Sequence, residues 1–591
     1  MKYCIFSLLI FLTFSISGQV TPVPESNLIH TQVMFEYPSV NNAVNYKIEI
    51  SQWDSLKKLA VPFLEQFDNT TATLVSGLSY GYEYRWKYRA FDKKEKLIFT
   101  SQDYVFYIKK VQEVNPDYQR IRLNQINCKD SLKGLVSFDY CKTIVNRKGL
   151  PVCYVPEAPP ILNSGFFIRD LRITPGGTIT LLSKTDAIEM DLDGNIIWVA
   201  PNDGKVSGEQ TEFYHHAFFK MDKGNYMILS NKHRKIQSPF DTTNKEIEFG
   251  TIIEYDLSGN VAWKWDSQDY LSSKDLFQRN QENKTFAVNP HSNSLDMTKD
   301  GNYLYLGFRD ISRIIKIEKS SGRVVASFGA KMPSGEAAFA NKYFRFQHSS
   351  TLLNDGNIAV FNNDSIADPK VTSSIVIFSQ PDNKKMSSEL IWKFDCKFDS
   401  LTNGKSLKTG NVIELPDKNI LLNMGTINRT IEISRNDKKI VWDAFTEKWN
   451  SKVNKWESFP QFRSAYISSL YPCYFTVCIN KKVTKKGSIT GASMIIYNKG
   501  TEPDEYKVIT DYGKEKTEIM TQVIMPDHSV TVNIPNSTAN DISEIKIISS
   551  LDGRRCRMVN FQTGMQESSL NSLPAIRPLS HPNSEDAVAP K

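Results

Sequence analysis

The chain has 591 residues, which is long enough for several domains. Hydrophobic residues make up 40% and charged residues 23%, as is ordinary for a soluble globular protein. The formal net charge of +7 is modest and is spread along the chain, so the composition argues against a nucleic-acid partner. Aromatic residues reach 11%, which favours strands.

Residues 1–18 have the pattern of a secretory signal peptide. Lys2 supplies the positive end, residues 5–12 form an apolar core, and small residues lead to Gly18. The apolar run is too short to cross a bilayer comfortably, and no later run is longer. We therefore expect cleavage after Gly18 and an exported chain, periplasmic or secreted, without a transmembrane segment.

All eight cysteines except Cys4 lie beyond the predicted signal. Cys141 and Cys153 flank a predicted hairpin turn, and Cys473 and Cys478 are close in sequence. An oxidising compartment favours disulfides, so both pairs are candidates, and the odd number leaves at least one free thiol. No cysteine has the spacing of a zinc site with histidine, and the sequence predicts neither a metal nor a cofactor.

Both ends of the mature chain have strand patterns. Residues 22–110 alternate in polarity, with aromatic residues at every second position of 82–90, and predict an N-terminal β-sandwich of fibronectin III type. Residues 485–562 predict a second small β-sandwich. Residues 565–591 are rich in Ser, Pro and Asn and predict a disordered tail.

Between residues 125 and 480 one pattern returns, roughly every 45 to 75 residues, as in propeller blades with variable loops. An inner strand follows a glycine turn, and an outer hairpin carries a glycine and then a tryptophan, as at Gly194 and Trp198. Strands near 136–140 and 153–154 can complete a sixth blade with residues 462–474, because the ring must close. The predicted fold class is all-β: a six-bladed β-propeller flanked by two β-sandwiches.

A short polar motif recurs within this repeat. One residue stands eight positions before each of three Gly-Asn turns: His216, Asn293 and His348. The three motifs also contain His215 and His291, so they include four of the chain's eight histidines. Equivalent points of a ring of blades converge on its axis, and we expect these side chains to form one polar site at the mouth of the central channel.

Arg309 follows another inner strand, in the sequence Gly307-Phe308-Arg309-Asp310. An arginine beside several imidazoles is a poor arrangement for a metal ion. It suits an oxyanion such as sulfate or phosphate, because guanidinium donates paired hydrogen bonds to such oxygens.

This combination of motifs resembles the bacterial arylsulfate sulfotransferases, which work without the nucleotide donor PAPS. The matching pieces lie within roughly residues 130 to 475, with a looser match over the N-terminal sandwich. They are Tyr214-His215-His216, the His-x-Asn-Ser of 291–294, Arg309, and Phe346-Gln347-His348. The resemblance implies an enzyme that moves a sulfuryl group from a phenolic sulfate ester to a phenol. It also implies a ping-pong route through a sulfated histidine, without a cofactor.

The resemblance further implies roles for the site residues. His348 is the candidate nucleophile. His216, His291 and Arg309 would bind the sulfuryl oxygens and stabilise charge on the leaving phenolate, and one histidine would act as general acid and then general base. Asn293 would orient a neighbour or donate to sulfate.

His215 is a further candidate for substrate binding. We rank it below His216, because only His216 shares the register of His348 relative to the Gly-Asn turn.

The chain also departs from the family pattern. Ala217 stands where an acid commonly follows the double histidine, and Asn289-Pro290 replaces an aromatic residue before His-x-Asn-Ser. The predicted C-terminal sandwich is not part of the pattern of the best-known members.

Two other functions stay open at this stage. One is a non-catalytic propeller that binds a glycan or a partner protein. The other is a hydrolase of sulfate or phosphate esters, in which water replaces the phenol acceptor. The oligomeric state is equally open, with a homodimer among the alternatives.

Overall fold

The computed structural model describes residues 20–126, 133–156, 168–183, 186–221, 224–335, 338–340, 342–364, 370–381, 387–398, 403–483, 489–511, 516–534, 544–560 and 566–570. The predicted signal peptide lies outside the described residues. Strands dominate, and the described helices are short: Val111–Val114, Ser273–Leu276 and the 3₁₀ helix Ser267–Asp269. The prediction of an all-β protein is therefore confirmed.

Six antiparallel sheets follow one another through the middle of the described chain. The first sheet is ordered Pro151–Tyr154, Thr143–Asn146, Leu135–Phe138 and Ser464–Ile467. The second contains Arg169–Ile173, Ile179–Leu182, Ala187–Met190 and Ile196–Val199. The third contains Phe218–Lys220, Tyr226–Gln237, Asn244–Tyr255 and Val261–Asp266.

The other three sheets repeat this order of strands. The fourth contains Ser292–Met297, Tyr303–Phe308, Arg313–Glu318 and Val324–Gly329. The fifth contains His348–Leu352, Ile358–Asn362, Ser374–Phe378 and Leu390–Asp395. The sixth contains Asn411–Glu414, Ile420–Asn423, Arg429–Ile433, Ile440–Asn450 and Lys455–Ser458, and Gln119–Ile126 pairs with Ile440–Asn450. A two-stranded sheet, Phe277–Arg279 with Thr285–Ala287, lies between the third and fourth sheets in the chain.

The sheets pack on one another as in a propeller. His348–Leu352 contacts both Ser292–Met297 and Asn411–Glu414, and Ser464–Ile467 contacts both Asn411–Glu414 and Arg169–Ile173. The first strands of the sheets, together with Ser464–Ile467, therefore lie along a shared centre. Second and third strands are buried on both faces because neighbouring sheets cover them, which explains their nearly continuous apolar sequences.

The first sheet joins two distant parts of the chain. Leu135–Phe138 pairs antiparallel with Ser464–Ile467, with Phe138 opposite Ser464. Leu135–Phe138 overlaps the strand predicted near 136–140, and Ser464–Ile467 lies within the predicted segment 462–474. Pairing between distant segments holds the two ends of the propeller-like region together.

Further sheets lie on each side of this region. The N-terminal sheets share a core in which the rings of Phe35 and Trp86 meet at 5.1 Å. Their strands are Asn27–Leu28, Val33–Glu36, Asn45–Asp54, Leu59–Asp68, Ala72–Val75, Glu83–Phe91, Leu97–Thr100 and Tyr104–Ile108. The C-terminal strands form a three-stranded and a five-stranded sheet: Phe475–Val483, Ile489–Asn498, Tyr506–Asp511, Lys516–Met520, Ser529–Ile534, Glu544–Ser549, Arg555–Asn560 and Gln566–Leu570.

The C-terminal sheets extend further than the sequence prediction. They begin at Phe475, inside the range predicted for the propeller, and end at Leu570, inside the predicted tail. Residues 571–591 of that tail lie outside the described residues.

The predicted disulfides are wrong for both candidate pairs. Cys141, Cys153, Cys473 and Cys478 are free thiols. Cys141 and Cys153 pack into different hydrophobic clusters, so closeness in sequence does not bring their sulfur atoms together. Cys473 is buried and donates to Ser549 Oγ at 3.1 Å, whereas Cys478 is exposed on the following strand. Cys128 lies outside the described residues.

Within the described part of the chain, we find no helix with the length and apolar character needed to cross a membrane.

Phe138 offers a test of the ring closure. Its side chain is fully buried between the first and sixth sheets, so Phe138→Ala should lower the free energy of unfolding by about 3–5 kcal/mol. Denaturant unfolding measures this loss. Phe67→Ala, at a side chain that is 64% exposed, is the control and should change stability by less than about 0.5 kcal/mol. Equal effects of the two substitutions would contradict the packing described.

Candidate active site

The predicted site residues lie at or beside the beginnings of the first strands. His216 directly precedes the third sheet's Ala217 and Phe218–Lys220, Asn293 is the second residue of Ser292–Met297, and His348 begins His348–Leu352. These strands start at the same end of the propeller-like region, and the structure brings their side chains close to one another.

Irregular backbone at the starts of these strands turns the side chains toward the shared centre of the sheets. The pairing register shifts around Asn293 and again after His348, which places a β-bulge at the start of each strand. His216, His291 and Ser349 have φ values of 58°, 53° and 55°. Bulges and left-handed residues of this kind redirect side chains and cluster at functional sites.

Close approach of the fourth and fifth sheets depends on a glycine. Ser294 Oγ and Ser350 Oγ are 2.7 Å apart, and a Cβ on Gly307 would come within 2.2 Å of Ser294 Oγ. A side chain at position 307 would therefore push apart the strands that carry Asn293 and His348.

His348 is held in one tautomer. Its Nδ1 lies 2.8 Å from Asn363 Oδ1, and Asn363 Nδ2 donates to the carbonyl oxygen of Ser406 at 2.8 Å. Because the Ser406 carbonyl only accepts, the amide of Asn363 must turn its oxygen to His348, and Nδ1 must carry the hydrogen. His348 Nε2 is left with its lone pair.

The same imidazole is kept neutral. Burial, followed by the charges of Arg309, His291 and Arg463, lowers the pKa of His348 to about 3, although the bond to Asn363 acts in the opposite direction. A neutral ring with a free Nε2 is the reactive form of a histidine nucleophile.

His216 is also buried and in contact with other rings. Its Nδ1 lies 2.6 Å from Nδ1 of His215, and its ring centroid is 5.4 Å from that of His291 and 5.3 Å from that of Phe462. Burial, followed by the charge of His215, lowers the pKa of His216 well below its ordinary value. One neutral ring of the His215–His216 pair therefore donates to the other, and His215 orients His216 where Ala217 supplies no carboxylate.

Arg309 presents hydrogen-bond donors with few partners. Its backbone nitrogen donates to the carbonyl oxygen of His291 at 3.0 Å, which places it beside the histidines. The guanidinium Nη1 lies 3.4 Å from Asp310 Oδ1. Its Nε is buried and has no hydrogen-bond partner within the described chain.

Asn293 connects three sheets. Its Nδ2 donates to the carbonyl oxygen of Gln347 at 2.9 Å, and its own carbonyl oxygen accepts from Arg463 Nη2 at 2.9 Å. The side-chain Oδ1 is buried and lacks a hydrogen-bond partner among the described atoms. Asn293 thus fixes the position of Gln347 next to His348, and its Nδ2 is already used.

Arg463 is a site residue that the sequence analysis missed. It is buried, and its Nη1 lies 3.2 Å from Asp170 Oδ1. Burial would raise the pKa of Asp170, but the cations Arg172 and Arg463 outweigh it and keep the carboxylate ionised. Arg463 precedes the closing strand Ser464–Ile467, which no Gly-Asn hairpin follows, so counting back from such turns cannot find it.

Asn363 and Phe462 were also missed. Asn363 follows the second strand of the fifth sheet, just as Arg309 follows the second strand of the fourth. If the position after the second strand is checked in each repeat, Asn363 is predicted as a site residue in the same way as Arg309. Phe462 stacks on Tyr140 with ring centroids 6.3 Å apart and supplies an aromatic surface beside His216.

The site as a whole favours an anion. Arg309 and Arg463 bring two guanidinium groups to the neutral imidazoles of His216 and His348, and Asp170 is already paired with arginines. In the described residues, we find no group of three or more His, Cys, Asp or Glu side chains arranged to hold a metal ion. Sulfuryl and phosphoryl oxygens are natural partners for such donors.

A match to a family model favours the sulfuryl group over the phosphoryl group. The arylsulfotransferase (ASST) model matches residues 143–459, the segment that carries every predicted site residue. The chain belongs to the arylsulfotransferase family. Membership supports arylsulfotransferase activity in general and implies an aryl sulfate donor and a phenol acceptor.

Other comparisons of this arylsulfotransferase-family protein give weaker similarity. No curated protein sequence matches it. A solved protein of unknown function from Bacteroides caccae is 13% identical, with 60% of this chain and 100% of that chain covered and a TM-score of 0.34. The β-propeller domain of Myceliophteria thermophila Cps50 (Swd1) is 11% identical, with 46% and 85% covered and a TM-score of 0.27. Similarity at this level supports no inference about function.

The state of His348 can be measured without any substrate. Because its pKa lies at about 3, its imidazole should stay neutral from neutral pH down to about pH 4. Histidine side-chain NMR, with the resonance assigned by comparison with His348→Ala, follows this directly. His528, which is exposed, provides a comparison within the same chain. Titration of His348 near pH 6.5, the ordinary histidine value, would contradict the buried tautomer described.

Proposed function

We propose that the protein is an exported arylsulfate sulfotransferase that works through a sulfohistidine at His348, without PAPS. The observation that carries this proposal is the fixed tautomer of His348, whose free Nε2 belongs to a buried neutral ring beside Arg309. Membership of the chain in the arylsulfotransferase family supports transfer of a sulfuryl group rather than a phosphoryl group.

The first half of the proposed reaction transfers the sulfuryl group to the protein. His348 Nε2 attacks the sulfur of the aryl sulfate, an N–S bond forms, and the ester S–O bond breaks to release a phenolate. Arg309 and Arg463 stabilise negative charge on the sulfuryl oxygens and on the leaving oxygen. His216 assists as a neutral donor or acceptor within the same cluster.

In the second half, a phenol enters the vacated position. Its oxygen attacks the sulfur, its proton passes to a neutral histidine of the site, which returns it to a leaving phenolate in the next turnover, and the N–S bond breaks with its electron pair on His348 Nε2. Phe462 offers a ring surface against which an aromatic acceptor packs, since its centroid lies 5.3 Å from that of His216. This surface takes the place of the aromatic residue that Asn289-Pro290 replaces.

We also propose the architecture that serves this chemistry. The six sheets are interpreted as six blades around a central channel, and the N- and C-terminal sheets as flanking β-sandwiches. Export is inferred from the signal-peptide pattern of residues 1–18. Sequencing the N-terminus of the mature protein tests export, and a chain that retains Met1 would contradict it.

The function is tested with 4-nitrophenyl sulfate and the purified mature protein. We expect release of 4-nitrophenol that depends on added phenol and falls by at least about 1,000-fold in His348→Ala, because nucleophile and transfer are lost together. His528→Ala is the matched control and should keep full activity, since His528 is an exposed histidine outside the site.

Other results of the same assay point elsewhere. Release at the same rate without phenol would indicate hydrolysis of the ester. A folded protein that is silent with a panel of aryl sulfates would indicate a binding propeller without catalysis.

Asn363 provides a second test of the mechanism. Asn363→Ala removes the acceptor that fixes Nδ1–H, so the productive tautomer of His348 loses population and the transfer rate should fall roughly 10- to 100-fold. KM for the donor should change little. Asn362→Ala, at the neighbouring amide, which bonds to Arg345 N and Ser374 Oγ, is the control for loss of a nearby buried side chain. Equal losses in both variants would contradict a role through the tautomer.

A further inference from the structure

The second sheet repeats at Arg169 the local geometry that positions His348. Arg169 begins the first strand of its sheet, as His348 begins that of the fifth. In both strands the pairing register shifts between the first and the fourth residue. The second residue is left-handed in each, with φ values of 53° at Asp170 and 55° at Ser349. The same kind of bulge therefore turns Arg169 toward the shared centre of the sheets, at the end where the histidines lie.

Arg169 lies beside an aromatic wall of the site, formed by Phe462 and Tyr140. Its guanidinium carbon is 5.4 Å from the centroid of the Phe462 ring, and that ring lies 5.3 Å from the ring of His216. Phe462 in turn stacks on Tyr140 with centroids 6.3 Å apart. Burial raises the pKa of Tyr140, and Arg169 opposes that shift through its charge and a hydrogen bond. Arg169 thus contacts both rings of the wall.

The charge of Arg169 is not balanced by a neighbouring carboxylate. Asp170, the next residue, pairs instead with Arg172 at 2.9 Å and with Arg463 at 3.2 Å. Within the described ranges of the chain, we find no ion pair between Arg169 and an Asp or Glu side chain. The side chain is also partly buried, so water screens its charge only in part. A guanidinium in this state attracts an anion that can accept paired hydrogen bonds.

Other arginines serve the sulfuryl group. Burial lowers the pKa of His348, and the charges of Arg309 and Arg463 add to that shift, which places both arginines near the proposed nucleophile. Burial also lowers the pKa of His215 to about 3, and there the charge of Arg169 contributes. Arg169 therefore lies on the side of the cluster that contains His215 and the aromatic wall, where it is available to a different part of the substrate.

We propose that Arg169 is a specificity-determining residue that binds a second anionic group, a carboxylate, on the aromatic ring of the substrate. This inference rests on the proposed function and names the substrate class of that site: phenols, and their sulfate esters, that carry a further negative charge. In this arrangement the substrate ring packs on Phe462, and Arg309 and Arg463 bind the sulfuryl oxygens. Arg169 donates paired hydrogen bonds to the carboxylate.

Two donors of nearly the same shape test the need for the second charge. 4-Carboxyphenyl sulfate carries it, and 4-carbamoylphenyl sulfate, the corresponding amide, does not. With phenol as the acceptor, Arg169→Gln should lower kcat/KM for the carboxylate donor by about tenfold or more, chiefly through KM, because charged hydrogen bonds are lost. The amide donor should change by less than about twofold, which also shows that the variant is folded.

Arg323→Gln is the matched control. Arg323 lies between the third and fourth strands of the fourth sheet, and its side chain is 75% exposed. This variant should turn over both donors at the wild-type rates. Equal losses for both donors in Arg169→Gln would place Arg169 at the sulfuryl group and overturn the proposal.

Reversal of the charge gives a stricter test of the same role. Arg169→Glu should disfavour 4-carboxyphenyl sulfate further and should favour 4-(aminomethyl)phenyl sulfate, whose substituent is a cation. A Glu variant that keeps the wild-type order of the two donors would contradict the proposal.

A binding measurement without turnover separates this inference from the proposed function. In titration calorimetry, the wild type should bind 4-hydroxybenzoate more tightly than 4-hydroxybenzamide. This preference should be lost in Arg169→Gln and kept in Arg323→Gln. A wild type that shows the preference but transfers no sulfuryl group would defeat the proposed function alone, whereas equal affinity for the two phenols in an active protein would defeat the role of Arg169 alone.

Discussion

The hydrogen bond from His348 Nδ1 to Asn363 Oδ1 sets the chemistry that the site can perform. It fixes the hydrogen on one ring nitrogen and exposes the lone pair of the other. Burial keeps the ring neutral, since an imidazolium without a carboxylate would be costly there. A protonated histidine could bind an anion but could not attack it, so the low pKa converts an anion-binding site into one suited to group transfer.

Each partner of that histidine comes from a different sheet. Arg309 follows a strand of the fourth sheet, Asn363 follows a strand of the fifth, and Arg463 precedes the closing strand of the first. Pairing of Leu135–Phe138 with Ser464–Ile467 brings Arg463 to the centre, where it donates to Asn293 O. The pairing that joins the two ends of the propeller-like region therefore also positions Arg463, and damage to the first sheet would reach the site through Arg463.

The sequence predicted the parts of the site that share a repeated signal. His216, Asn293 and His348 stand at one distance from a Gly-Asn turn, and the structure places all three near the start of central strands. Arg463 carries no such signal. It reaches the site through the long-range pairing of Leu135–Phe138 with Ser464–Ile467, which does not follow from a local pattern.

The cysteines also show that local sequence does not determine long-range packing. Closeness in sequence suggested two disulfides, but packing of Cys141 and Cys153 into separate clusters overrides it. For the fold, repeat spacing predicted the all-β class and the strands of the first sheet, because blades require a periodic pattern. The limits of the C-terminal sheets were missed, since polar, Ser-rich segments such as 566–570 also form edge strands.

The central claim is that the sulfuryl group resides on His348 Nε2 between the two half-reactions. The most direct measurement is to mix the mature protein with a radiolabelled aryl sulfate in the absence of acceptor, quench at alkaline pH, and map the label by peptide sequencing. The account predicts label on the peptide that contains His348, at no more than one group per chain, and its loss on addition of phenol. Label on any other residue, or release of phenol from the donor without label on the protein, would contradict the account.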